Sequence, residues 1–412
     1  MKIPLATGFQ TMNPNLSRTC AVLALVLLSQ GAPAADWNRF RGPDVNGISQ
    51  ETGWQTKWPV EGPKQLWKAS VGVGFSSVSV SQGRVYTLGN SKDVDTVFCF
   101  DAATGAVLWK YSYPSPLDPK FYEGGTSCTP TVDGGRVYTL SKSGDFICVD
   151  AAKGTLIRSN NVTKELGLKI PTWGFAGSVL AEGNLLILNA GSAGTAFDKT
   201  TGAVVWKSGE GESGYATPLP ADWAGERVVA IMGAQTLNVV KVPDGGKVWS
   251  FPWKTEYDVN AAAPILHGDQ AFVSSGYGHG AALIKVTGKQ PAVVWETKKM
   301  RNHFNSSILW QGFLYGVDEG QLSCLDWQSG EVKWTDTKFG KGSLMMADGK
   351  LIALSEKGEL IIAEANPKAF KVLSRAQVLG GKCWTVPVLA NGRVYCRNAK
   401  GDLVCLDLSP QP

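Results

Sequence analysis

The chain has 412 residues, 43% of them hydrophobic, 10% aromatic and only 18% charged, with 48 glycines and 15 tryptophans. That composition excludes a disordered chain and describes many turns joining aromatic-rich strands. A formal net charge of +5 is too small for a nucleic-acid binder, which would cluster Lys and Arg on one face.

At the start of the chain, Lys2 and Arg18 precede the apolar run 21–28, and Ala32-Pro33-Ala34 has the small-x-small form of a signal-peptidase site. Residues 1–34 are therefore expected to be a secretory signal, and the mature chain periplasmic or secreted. The eight apolar residues fall far short of the roughly 20 that span a bilayer, so no transmembrane segment is expected after signal removal. Met12 is an alternative start. The signal carries two cations and no acid, which leaves the mature chain near +3.

Residues 35–62, rich in Gly, Pro and Trp without sustained alternation, read as an N-terminal strap. Residues 63–412 read as an array. The run Gly135 onward, G-R-V-Y-T-L-S-K-S-G-D-F-I-C-V-D-A-A-K-G, is a hairpin followed by a tight turn, and it recurs. Copies begin at Gly83, Gly135, Gly183, Glu226, Asp269, Gly312, Gly349 and Gly392, eight in all. The turn aspartates Asp101, Asp150 and Asp198 are spaced by 49 and 48 residues, the length of a four-stranded propeller blade. Helical repeats of that length fail, because the segments alternate with period two and are cut by Gly, Asp and Asn.

Each copy is expected to hold an inner strand, the G-R-V-Y strand, the C-x-D strand and a Trp-bearing outer strand. The inner strands are placed at 76–80, 128–132, 176–180, 216–219, 262–266, 306–310, 343–347 and 385–389. Many open with Ser, Ala or Thr, as crowding around one axis requires. The last copy ends at Asp407, too late for its own fourth strand, so residues 65–68 are expected to complete that blade against 403–406 and leave no edge unpaired. The fold class is thus all-β, an eight-bladed propeller of four-stranded antiparallel blades closed by the N-terminal strand.

The run D-A-A-T-G-A-V-L-W from Asp101, with the related runs ending at Trp206 and Trp334, resembles the repeat of pyrroloquinoline-quinone (PQQ) type β-propellers. The resemblance covers residues 63–409 and implies eight blades. It also implies that Trp67, Trp109, Trp206, Trp249, Trp295 and Trp334 dock neighbouring blades. With W-N-R-F-R-G-P from Trp37, the whole chain resembles exported bacterial quinone-like repeat proteins. It is similar to the outer-membrane assembly-factor propeller and, more distantly, to quinoprotein dehydrogenases. No two cysteines adjoin and the dehydrogenases' calcium ligands find no match, while the assembly lipoprotein's lipid-bearing cysteine is also missing, since Cys20 precedes the apolar run.

Other chemistry is sparse. His267, His279 and His303 show no zinc spacing, there is no phosphate loop, and Gly276 to Gly280 reads as turn material. The sequon Asn161-Val162-Thr163 reads as a plain loop. Cys99, Cys148, Cys324 and Cys405 share one slot, where copy three has Ala196, which suits a small buried side chain. A turn centred on Lys400-Gly401 is expected to set Cys396 opposite Cys405, as Thr139 opposite Cys148, giving either a disulfide or a packing pair.

A site is expected where the segments leading into the inner strands meet at the channel mouth. Its candidate ligand-binding residues are Glu123, Trp173, Tyr215, Asp258, Asn260, Arg301, His303, Asn305, Lys382 and Trp384, which offer aromatic faces, amides, carboxylates, an imidazole and cations. The leading expectation is an exported, monomeric binding or scaffold module for a protein or polysaccharide of the cell envelope, with no cofactor. The alternative is a PQQ- and calcium-dependent alcohol or sugar dehydrogenase, with His303 or Asp258 as the base that takes an alcohol proton. A hydrolase or lyase at the same mouth is a third reading.

Overall fold

The computed structural model describes residues 1–2, 36–207, 209 and 211–410. The expected signal segment falls almost wholly outside the described residues. The chain divides into two compact units at residues 33 and 34, and the second is an eight-bladed β-propeller. Its eight sheets each carry four blade strands in antiparallel order, running inner to outer along the chain in seven of them. Among the described residues, helix is confined to Val162–Leu166, whose N-cap Asn161 accepts from the Thr163 and Lys164 amides. The sequon asparagine is thus a cap, not a plain loop residue. No described helix is long and apolar enough to cross a membrane.

The ring closes as expected. Gln65–Ser70 pairs antiparallel with Asp402–Asp407, setting Gln65 opposite Leu406 and Trp67 opposite Cys405. Arg397, buried beside this seam, donates to the carbonyls of Ser76, Leu88 and Gly72, so one guanidinium ties the last blade to the first.

One joint recurs around the ring. The turn aspartate accepts from the two amides that follow it, as Asp101 Oδ1 does from Ala103 and Thr104 at 3.1 and 2.8 Å. The glycine closing that turn lies under the preceding blade's tryptophan: a Cβ on Gly105 would come within 2.7 Å of Trp67, and one on Gly154 within 2.5 Å of Trp109. The indole then donates to a carbonyl of the same turn, Trp67 to Ala102 at 3.0 Å and Trp109 to Ala151 at 3.0 Å. Trp206, Trp295 and Trp334 bond the next blade in the same way, whereas the buried Trp249 indole N–H has no partner. Blade two lacks this tryptophan, and Arg158 reaches Thr200 O instead. Cys99, Cys324 and Cys405 each sit between an aromatic on both sides, as Cys99 does between Tyr86 and Trp109, and Cys148 sits between Tyr138 and Arg158, which is why only a small side chain fits.

Two registers differ from expectation. Cys405 faces Tyr395 while Cys396 faces Val404, and Cys148 faces Tyr138 while Thr139 faces Ile147. Cys396 and Cys405 are therefore not opposed. Successive residues of a strand point to opposite faces, so a slip of one residue separates the pair, and all seven described cysteines are free thiols. The cause is an odd loop. Asn398 pairs with Asp402 around three residues that end in Gly401 at φ 93°, the three-residue hairpin with a left-handed third position.

The inner strands also begin later than the alternation suggests, at Ser79, Thr131, Leu180, Leu219, Ile265, Ile308 and Val388 in seven of the blades. The residues before them bond between blades rather than along a ladder. Ser77 N donates to Thr129 Oγ1, Thr129 N to Ser178 Oγ and Ser178 N to Thr217 Oγ1, all at 2.9–3.0 Å. Small hydroxyl residues line the axis because they replace the missing sheet partners.

The strap crosses one end of the channel. Trp37 pairs with Val80, Asn38 exchanges bonds with Val132, and Arg39 donates to Ala181 O. Ile48–Ser49 adds a parallel pairing to Met346–Ala347. Arg41, fully buried, donates to Val45, Asn46, Ser306 and Ser307 carbonyls. Burial lowers its pKa to about 10, so it stays charged at neutral pH.

Candidate functional site

At the other end the channel opens into a basin of about 360 Å³, at the lower end of the size range of small-molecule pockets. All eight segments leading into the inner strands contribute to it, from Phe75 in the first to Trp384 and Thr385 in the last. Phe40 of the strap also lines it, so the strap that crosses the far end supplies its floor.

The wall is a continuous arc of rings. Tyr277, His303, Phe304, Trp384, Phe75, Tyr122, Trp173 and Phe121 follow one another around the basin, and Tyr257 extends the arc past Tyr277 outside the lining, with centroids 4.3–5.9 Å apart. Such separations are those of favourable offset and edge-to-face pairs. Its ends are wet: Phe121 is 93% exposed and Tyr257 58% exposed. Lysines fix three rings from outside, with Lys382 Nζ 4.4 Å from the Trp384 centroid, Lys142 5.2 Å from Tyr122 and Lys120 5.6 Å from Trp173. Glu356 accepts from the Trp384 indole at 3.0 Å.

Of the expected residues, Trp173, Tyr215, His303, Asn305 and Trp384 line the basin, and Glu123, Asp258, Asn260, Arg301 and Lys382 do not. Lys382 and Glu123 bond each other at 2.9 Å. Arg301 pairs with the buried Asp318 at 2.5 Å. Asn260 is enclosed and holds Ala234, Trp253 and Gly233 carbonyls while accepting from Ser275. Asp258 sits at φ 55° and accepts from Gln235 at 3.0 Å. Asn305 reaches the basin but spends its amide on Gly342 O and Ser343 Oγ.

Phe75 and Lys341 precede inner strands and were open to the same positional rule, as was Phe304 beside His303. Phe40 and Tyr277 were not, because the strap and a hairpin tip lie outside that rule.

His303 is the titratable ring in the wall. Lys341 Nζ lies 3.1 Å from its Nδ1, and Glu319 Oε2 lies 3.7 Å from that same nitrogen. Burial, reinforced by the Lys341 charge, lowers the imidazole pKa to about 4, against the opposing pull of Glu319. The ring is neutral at pH 7. An ammonium has only protons to give, so Nδ1 accepts and the neutral ring's proton sits on Nε2. Burial also raises the Tyr215 hydroxyl to about 12.

Calcium-bound PQQ can be tested against these residues. Calcium takes six to eight oxygen ligands, with carboxylates among them. The basin lining holds no carboxylate, its one amide is already engaged, and no group of three or more His, Cys, Asp or Glu that could hold a metal occurs among the described residues. The residues present do not fit that group.

No curated protein sequence matches the chain. Among solved structures it is similar to BamB from Moraxella catarrhalis, at 16% identity and TM-score 0.62, covering 84% of this chain and 99% of that one. A europium-containing methanol dehydrogenase matches at 13% identity and TM-score 0.67, covering 90% and 89%. Quinohemoprotein alcohol dehydrogenase from Comamonas testosteroni matches at 13% and 0.69, covering 93% and 82%. At these identities the likeness concerns the fold alone. The family model described as outer membrane protein assembly factor BamB matches residues 45–156 and 118–336. Those matches span more than two thirds of the sequence, and the chain belongs to that family of PQQ-type repeat propellers.

Proposed function

We propose that this protein is an exported, non-catalytic binding module of the cell envelope that holds its partner at the aromatic mouth of the propeller. The observation that carries this reading is the arc of rings around a basin floored by Phe40, with both ends of the arc exposed to solvent. Exposed rings grouped at one site are a binding surface, because scattered exposed apolar groups need no explanation and a continuous set does. The family match supports an envelope role, since it is named for an outer-membrane assembly factor.

The dehydrogenase alternative has less support. Asp258 does not line the basin, and the acceptor nitrogen of His303 already faces an ammonium. Neither expected base is free to take a proton from a bound alcohol.

The test is retention on a washed cell-envelope fraction. The mature protein should co-sediment, and a Phe121→Ala/Trp173→Ala variant should be released at least tenfold more readily with an unchanged melting temperature. Equal retention of the variant would overturn the reading. Dye reduction by the mature protein supplied with PQQ, calcium and an alcohol or sugar panel would replace it with the dehydrogenase.

A further inference from the structure

Beyond its rings, the basin presents polar atoms that the protein leaves without partners. The Thr385 hydroxyl oxygen has no hydrogen-bond partner although the residue is only 3% exposed, and Thr385 lines the basin. A buried hydroxyl without a partner costs free energy unless something outside the chain satisfies it. Ser127 lines the same space, and its hydroxyl meets no partner among the described residues. His303 is bonded through Nδ1 alone, which leaves its Nε2–H free. These groups sit around rings that offer flat apolar faces, chiefly Trp384, Phe304 and Tyr277.

A ligand complementary to this arrangement has an apolar face and a polar edge. An aliphatic or aromatic peptide side chain satisfies the rings but strands the hydroxyls. A pyranose satisfies both, because its axial C–H bonds form a face and its equatorial hydroxyls donate and accept around the rim. Charge narrows the class further. Among the described residues Lys341 is the only charged one in the lining, and Glu319 at 3.7 Å and the His303 ring at 3.1 Å already face its ammonium.

We propose that the axial basin binds one pyranose unit of an uncharged glycan, stacked on Trp384 and Phe304, with Thr385 Oγ1 and His303 Nε2–H bonding its hydroxyls. This deepens the binding-module reading and rests on it. Thr385 then sets specificity, since it can give and accept a proton where valine can do neither.

The experiment uses the mature protein with cello-, xylo-, chito-, malto- and laminari-hexaose, read by isothermal titration calorimetry and saturation-transfer-difference NMR. At least one hexaose should bind, with saturation reaching its ring C–H protons. Trp384→Ala should weaken that binding at least tenfold, and the nearly isosteric Thr385→Val about fivefold to tenfold, the effect of one lost hydrogen bond. Thr385→Val should melt at or above the wild-type temperature, because it removes an orphaned hydroxyl. Trp384→Phe, which keeps a ring, should recover part of the loss and guards against misfolding of the alanine variant.

Hexaose binding that Thr385→Val leaves equal or tightens would overturn the saccharide assignment and point to an apolar ligand. A silent panel would overturn it too. If the panel is silent while envelope retention still depends on Phe121 and Trp173, only the saccharide inference falls. If both fail, the binding-module reading falls with it.

Discussion

Replacing Trp67 by alanine tests whether the N-terminal strand closes the ring through the same joint that links the other blades. The indole is 7% exposed, lies 6.0 Å from the Phe100 ring and 5.8 Å from Tyr395, and donates to Ala102 O at 3.0 Å. Truncating a buried Trp to Ala costs about 3–5 kcal/mol, and the stranded Ala102 carbonyl adds about 1 kcal/mol. Unfolding entropy of about 2.1 cal/mol/K per residue gives about 0.8 kcal/mol/K for a propeller of this size. The melting temperature should therefore fall by about 5–7 °C in scanning calorimetry. Trp109→Ala is the internal standard, because that indole has the same bond length to Ala151 and the same underlying glycine, Gly154, in the middle of the ring. Ala151 O also accepts from Arg84 and Tyr86, so Trp109→Ala strands no carbonyl and should melt about 1 °C above Trp67→Ala, with the two agreeing within about 2 °C. A fall below about 1 °C for Trp67→Ala beside a full effect at Trp109 would refute closure by this strand.

Arg41→Met should lower stability by about 3–5 kcal/mol, since it strands four carbonyls that the guanidinium satisfies, and limited proteolysis should then release the strap before the blades are cut. Denatured under non-reducing conditions, the mature protein should titrate seven thiols per chain with Ellman's reagent; five would mean that Cys396 and Cys405 are bridged after all. The His303 pKa is depressed from 6.5 to about 4 by burial and Lys341, with Glu319 opposing and Tyr277 packed against the ring. The unfolded chain thus binds the proton first, so stability is full above pH 6.5 and declines toward pH 4. His303→Gln should flatten that decline in melting temperature, and an unchanged slope would place the proton uptake elsewhere.

The ring was legible because its determinants recur. Gly-Arg-Val-Tyr, the Asp-x-x-x-Gly turn and the outer tryptophan each do one job in the blades that carry them: a strand, a side-chain-capped turn and a joint. Their spacing therefore yields blade number, blade order and closure. Register was less legible, because a single residue in a hairpin decides it. The run S-K-S-G-D and its counterpart N-A-K-G-D end their loops on glycine, the mark of a three-residue hairpin, and an even loop moves every facing pair by one.

The basin lies where the copies disagree, and that follows from the same physics. At several inner-strand entries the backbone is held by a hydroxyl of the neighbouring blade, as at Ser77, Thr129, Ser178 and Ala263. The residues before those positions are released from packing between blades, so they can be Phe75 in one copy and Trp173 in another. Chemical type at these entries was visible in the sequence, but direction was not. Arg301 and His303 stand two residues apart in one segment, yet Arg301 turns to the buried Asp318 and His303 to the axis. Asp258 and Asn260 both turn away, toward Gln235 and the carbonyls of the preceding blade, because a left-handed residue at 258 redirects the chain. A propeller with a repetitive frame can thus carry a site that no repeat encodes, built from entry residues that the frame leaves free and from a floor, Phe40, supplied by a segment outside the repeats.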